Sequence, residues 1–90
     1  MAMTIWKFDV PVQDELTVPM PDGAKVLTVQ MQGGQPCVWA LVDPDRPVRG
    51  RQFAWRGTGH ETDSLAPLMY VGTVQMMNGS LIFHLFDRDR

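Results

Sequence analysis

The 90-residue chain contains one cysteine, Cys37, which excludes an internal disulfide and any cage of cysteine ligands around a metal. Its place in the apolar run Pro36-Cys37-Val38-Trp39-Ala40-Leu41-Val42 reads as a small buried hydrophobe rather than a reactive thiol. A lone free cysteine also fits a reducing compartment. Long hydrophobic runs are missing, so no bilayer span is expected, and the opening residues lack the charged and apolar regions of a signal peptide. Excess basic charge is missing as well. The formal charge of −2 is unlike that of a general nucleic-acid binder.

Histidine is scarce, and His60 and His84 do not form a ligand-spaced pair, so no metal site and no cofactor are expected. Ser64 and Ser80 lie outside any Gly-x-Ser-x-Gly elbow. Gly57-Thr58-Gly59 lacks the Gly-Lys-Ser/Thr of a phosphate loop and a helix for that loop to open. The carboxylate neighbours Asp14-Glu15 and Asp43/Asp45 read as solvated turn residues. No catalytic constellation emerges, and the expectation is that the chain is not an enzyme.

Amphipathic helix periodicity is absent too, whereas short β-rich runs separated by turn residues recur from end to end. Asn78-Gly79 sits between two apolar-rich runs and suits a two-residue type I′ turn, because both residues tolerate positive φ. That turn sets Met77 opposite Ser80, Met76 opposite Leu81, Val74 opposite Phe83 and Thr73 opposite His84. Met76, Val74, Leu81, Phe83 and Leu85 then face the core, and Thr73, Gln75, Ile82, His84 and Phe86 face away.

Gly33-Gly34 marks a second hairpin. Its first strand, from Lys25 to Met31, places Leu27, Val29 and Met31 on one face. Its second, from Cys37 to Val42, is apolar on both faces, as a covered central strand is. Pro36 belongs at that strand's start. Ile5 to Val10 sets Trp6, Phe8 and Val10 against Lys7 and Asp9. Leu16, Val18 and Met20 alternate before the turn Pro21-Asp22-Gly23, and Asp43 to Pro47 forms a rigid connection to a strand from Arg49 to Gly57.

The sum is one all-β domain over residues 1–90, with about seven short antiparallel strands and tight hairpins. A small sandwich or partly open barrel is its natural closure. Met3 is expected to be the natural start, with two residues added ahead of it, and residues 87–90 to form a frayed tail. The seven methionines and three tryptophans are expected to fill the core. Met69, Met77, Ile82 and Phe86 are candidates for a subunit contact. The strand Leu81 to Phe86 needs covering, by a neighbouring strand or by another subunit.

Four of the eight basic residues (Arg46, Arg49, Arg51 and Arg56) fall within eleven positions. Strand periodicity puts Arg49, Arg51, Phe53 and Trp55 on one face. Guanidiniums hold phosphate bidentately and an aromatic ring stacks a base, which makes Arg49, Arg51, Trp55 and Arg56 a candidate ligand site together with His60. The competing reading buries Phe53 and Trp55 in the core and leaves the arginines to cover its rim with their aliphatic stems. His60 lies in the polar segment from Gly57 to Leu68, which is long for so small a domain, and such loops are often functional.

The run from Pro36 to Pro44, the Gly57-Thr58-Gly59-His60 turn, Tyr70-Val71-Gly72-Thr73, Gly79-Ser80-Leu81-Ile82-Phe83-His84 and the opening Ile5-Trp6-Lys7-Phe8 together resemble a small family encoded in tailed bacteriophage genomes. That family is described only as a domain of unknown function. The resemblance spans nearly the whole chain and implies a phage accessory protein acting in the bacterial host cytoplasm.

Small non-enzymatic phage proteins commonly act by binding, so the leading expectation is a homo-oligomer that blocks or sequesters a host component. One form is counter-defence by capture of a small nucleotide signal. The alternatives are an inhibitor capping a host protein through edge strands, and a minor structural or assembly component of the virion.

Overall fold

A computed structural model describes residues 2–62 and 69–88. Among them are seven antiparallel strands: β1 (Thr4–Asp9), β2 (Glu15–Pro21), β3 (Lys25–Gln32), β4 (Gln35–Val42), β5 (Val48–Gly57), β6 (Met69–Met76) and β7 (Leu81–Asp87). They form a three-stranded sheet in the order β1-β4-β3 and a four-stranded sheet in the order β2-β5-β7-β6. The two sheets enclose one apolar core and do not close into a barrel. The architecture is a small sandwich.

Both expected hairpins are present. Gly33 and Gly34 have φ of +58° and +81°, the positive pair that a type I′ turn requires, and Gln32 pairs with Gln35 across them. In the last hairpin Met76 pairs with Leu81, Val74 with Phe83 and Thr73 with His84. The turn differs in one respect. Met77 joins Asn78 and Gly79 at positive φ, so the ladder stops at Met76 and Leu81. Successive bonds from the Gly79 N–H to the Met76 carbonyl and from the Ser80 N–H to the Met77 carbonyl wind a short left-handed turn.

Alternation then builds the core. Leu16, Val18 and Met20 of β2 line one wall beside Phe53 and Trp55 of β5 and Leu85 of β7, while Val38, Ala40 and Val42 of β4 line the opposite wall. Trp55 is 1% exposed. Its indole N–H donates to the Val10 carbonyl at 3.2 Å, and its ring meets Phe83 edge-on.

The sheets approach closely where β3 faces β6. A Cβ on Gly72 would lie 2.9 Å from Val29 Cγ1, so only glycine fits without something moving.

Several expectations change. The register of β3 against β4 shifts between Val26 and Thr28. That bulge turns Leu27 outward, so Val26 joins Val29 and Met31 on the core side in its place. Methionine contributes less to the core than expected. Met20 is fully buried, but Met3 and Trp6 are exposed; Met69 and Met77, singled out as contact candidates, are exposed as well. The apolar strand β7 is covered by β5 on one side and β6 on the other. Asp87 is not tail but the buried last residue of β7, and the Arg88 N–H extends the sheet by bonding the Gln52 carbonyl at 2.8 Å. The expected polar segment is described only as far as residue 62, and its remainder lies outside the described residues.

Candidate functional site: an arginine-lined groove

β5 separates the five sequence-derived candidates by face and by end. Arg49, Arg51 and Trp55 share the inward face, since their partners on β2 and β7 are the inward residues Met20, Val18 and Leu85. Trp55, sealed in the core, offers no ring surface to a base. Arg56 points outward, and its guanidinium donates to the carbonyls of Asp14 and Trp55, each at 2.8 Å. His60 folds back over Gly57 and accepts that residue's N–H on Nδ1 at 3.2 Å. About eight residues of strand, roughly 26 Å, lie between Arg49 and Gly57. Arg49 and Arg51 therefore do not converge with Arg56 and His60.

Arg51 is mostly structural. Its Nε and Nη2 clasp both oxygens of Asp87 at 3.1 and 2.7 Å, and its Nη1 donates to the Ala24 carbonyl at 2.6 Å. One side chain thereby joins β5, the end of β7 and the turn between β2 and β3. The pair is nearly dry, with side chains 15% and 6% exposed.

Around this strut lies a groove of about 700 Å³, walled by Asp22, Arg49, Arg51, Gln52 and Arg88, with the Gly23, Ala24 and Gly50 backbone beside them. Local sequence explains its shape. The Asp22 N–H bonds the Pro47 carbonyl at 2.8 Å, and the Arg46 N–H bonds that of Asp43 at 3.0 Å. Asp43 Oδ1 also accepts the Asp45 N–H at 3.0 Å, an Asx turn that bends the Asp43–Pro47 connection toward the groove rim.

Asp22 is shared by two guanidiniums, with Arg46 Nη2 at 3.3 Å and Arg49 Nη1 at 3.6 Å. The Arg49 side chain remains 71% exposed. Arg88 pairs loosely with Glu15 at 3.8 Å. Among the described residues, these pairs bring the four guanidiniums of Arg46, Arg49, Arg51 and Arg88 to the three carboxylates of Asp22, Asp87 and Glu15.

Asp22, Arg46 and Arg88 lie outside the candidate residues legible in the sequence. The Pro21-Asp22-Gly23 turn directly after an alternating strand was the available signal for Asp22. Arg88 is brought in only by β7 pairing with β5.

A second hollow, of about 250 Å³, lies at the far end of β5, between the Gly57–His60 turn and the residues Ser80 to Phe83. Beside it His84 uses both ring nitrogens. Nε2 meets Thr58 Oγ1 at 2.8 Å, while Nδ1 meets the Tyr70 hydroxyl at 2.9 Å and Thr73 Oγ1 at 3.0 Å. Tyr70 and Thr73 also bond each other, and the Tyr70 ring packs edge-on against Phe86. This cluster fastens the turn after β5 to the outer face of β6 and β7. Among the described residues no group of three or more His, Cys, Asp or Glu side chains could hold a metal ion.

No curated protein and no solved structure matches the chain. A family model does match, over residues 1–90, and the chain belongs to the family described as a domain of unknown function, DUF7352.

Proposed function

We propose that this domain is a non-catalytic binding protein whose arginine groove holds a phosphate group of a small anionic ligand. The observation that carries this reading is the sharing of Asp22 by Arg46 and Arg49. It leaves Arg49 under-neutralised and exposed at the groove rim, where a guanidinium can take two phosphate oxygens in parallel. At Gly23 the place of a side chain is open apart from Arg46 Nη2 at 3.9 Å, so a ligand can approach that part of the groove.

With Trp55 inside the core, no ring completes a base-stacking site here, so selectivity rests on the anion. A nucleotide is one member of that class. The bacteriophage resemblance supplies the context in which capture of such a ligand in the host cytoplasm would serve as counter-defence.

The test is a titration of ¹⁵N-labelled protein with inorganic pyrophosphate, followed by nucleoside diphosphates. Amides of Gly23, Gly50 and Gln52 are expected to shift, and Arg49→Ala to weaken binding about tenfold, which corresponds to roughly 1.4 kcal/mol. Groove amides that stay in place up to millimolar pyrophosphate would overturn the reading.

A further inference from the structure

The four sheet edges are unequally protected. β2 carries Pro19 and Pro21 along its length, and proline cannot donate to an added strand. β6 is broken by the register shift between Tyr70 and Gly72. β3 has its own bulge and lies against β6. Strand β1, Thr-Ile-Trp-Lys-Phe-Asp, has no proline, and its register with β4 is unbroken. Its apolar side chains are unusually open, with Ile5 55% and Trp6 41% exposed. Such an edge is a template for another strand.

The phase of that template follows from one bond. The Val10 N–H donates to the Pro36 carbonyl at 3.0 Å, continuing the β1–β4 register. Antiparallel bonding alternates by two residues, so Phe8, Trp6 and Thr4 direct their backbone groups at β4. Ile5, Lys7 and Asp9 direct theirs out of the edge. A lysine on an edge ordinarily repels a second strand. Here the Lys7 ammonium is drawn back across β4 to Gln32 Oε1 at 2.6 Å, away from the free side.

We propose that two copies of the chain pair through β1, antiparallel about a two-fold axis at Trp6, to make a six-stranded sheet β3-β4-β1-β1-β4-β3. This register bonds Ile5 to the partner subunit's Lys7 in both directions, using backbone groups that already point outward. It sets Trp6 against the partner subunit's Trp6 in a non-hydrogen-bonded pair, where Cα atoms are about 4.5 Å apart.

The neighbouring registers are poorer. A centre on Lys7 apposes two lysines, and a centre on Ile5 leaves Phe8 and Asp9 outside the pairing. Any register between these would place outward residues opposite inward ones, which a two-fold axis normal to the sheet forbids. The strand is therefore self-complementary in one register, and this favours a second copy over a foreign strand.

Sedimentation and oxidative cross-linking of the full chain test this. Wild-type protein should sediment at twice the 10.2 kDa chain mass. Lys7→Pro should sediment at the chain mass while keeping its strand circular dichroism, because the donor it removes points out of the fold. Trp6→Cys should cross-link to a covalent dimer on oxidation, and Lys7→Cys should not. A wild-type monomer at hundreds of micromolar, cross-linking through Lys7→Cys in preference to Trp6→Cys, or cross-linking of Trp6→Cys only to a different protein would each overturn the proposal. Should Lys7→Pro unfold, the cysteine pair alone decides.

Discussion

Arg51 and Arg49 lie two residues apart on the same face of β5, yet the structure gives them opposite duties, and replacing each in turn separates the two. Arg51→Met removes both bonds to Asp87 and the bond to the Ala24 carbonyl. It leaves a carboxylate of 6% exposure without its guanidinium. Breaking a buried ion pair by removing one partner costs about 3–5 kcal/mol. The lower end applies here, because the groove brings water to one side of the pair.

A domain of this size holds on the order of 5–13 kcal/mol in total. A loss of about 3 kcal/mol should lower its Tm by roughly 12–24 °C. Urea unfolding followed through the fluorescence of buried Trp55 reads the effect. Adding Asp87→Leu should recover part of the loss, since the stranded charge goes with it, and the cycle should give a coupling of at least about 1 kcal/mol. Arg49→Ala should leave stability within about 0.5 kcal/mol of wild type, as exposed positions do. An Arg51→Met variant equally close to wild type would refute the assignment of Arg51 to the frame of the fold.

Gly72→Ala forces a methyl group against Val29 and should cost about 1–3 kcal/mol by overpacking; Val29→Ala in the same chain should restore part of it, read by the same urea titration. Burial is the main reason the Cys37 thiol has a raised pKa, and the bond to Asp9 adds to it, so a thiol reagent should label it only after unfolding. A raised acid pKa favours the neutral form in the folded state, so its stabilising contribution is full below the free-thiol value of about 8.5 and is lost as pH rises through the native one. The urea midpoint of wild type should therefore fall faster above that pH than that of Cys37→Ala.

What could be seen in the sequence is local. Asn78-Gly79 indicated the pairing of Thr73 with His84 because a short loop ties register to neighbouring residues. The outward turn of Leu27 is invisible in the sequence because a bulge adds one residue to one strand without a composition signal, and the side-chain alternation beyond it reverses. Arg51 could be placed on the inward face, but the partner that fixes its role, Asp87, is 36 residues away, and nothing in the local sequence specifies that meeting. The sequence allows Trp55 to be either a stacking ring or core. The two are indistinguishable by periodicity, and only the opposite wall of Val38, Ala40 and Val42 decides between them. The groove was partly visible for the same reason: Arg49 announced itself, whereas Asp22 and Arg88 arrive through strand pairing.

The order in which strands are shared between the sheets has a consequence for synthesis. One sheet draws entirely on residues 4–42, but β2, from that same stretch, pairs with β5 in the other. A nascent chain that has delivered only β1 to β4 holds β2 with no partner and one sheet with a bare apolar face. Even with β5 present, Arg51 waits for Asp87 at the end of the last strand. The two halves therefore cannot mature separately. Folding is expected to complete only once β7 has left the ribosome, in a single cooperative step slowed by its many distant pairings.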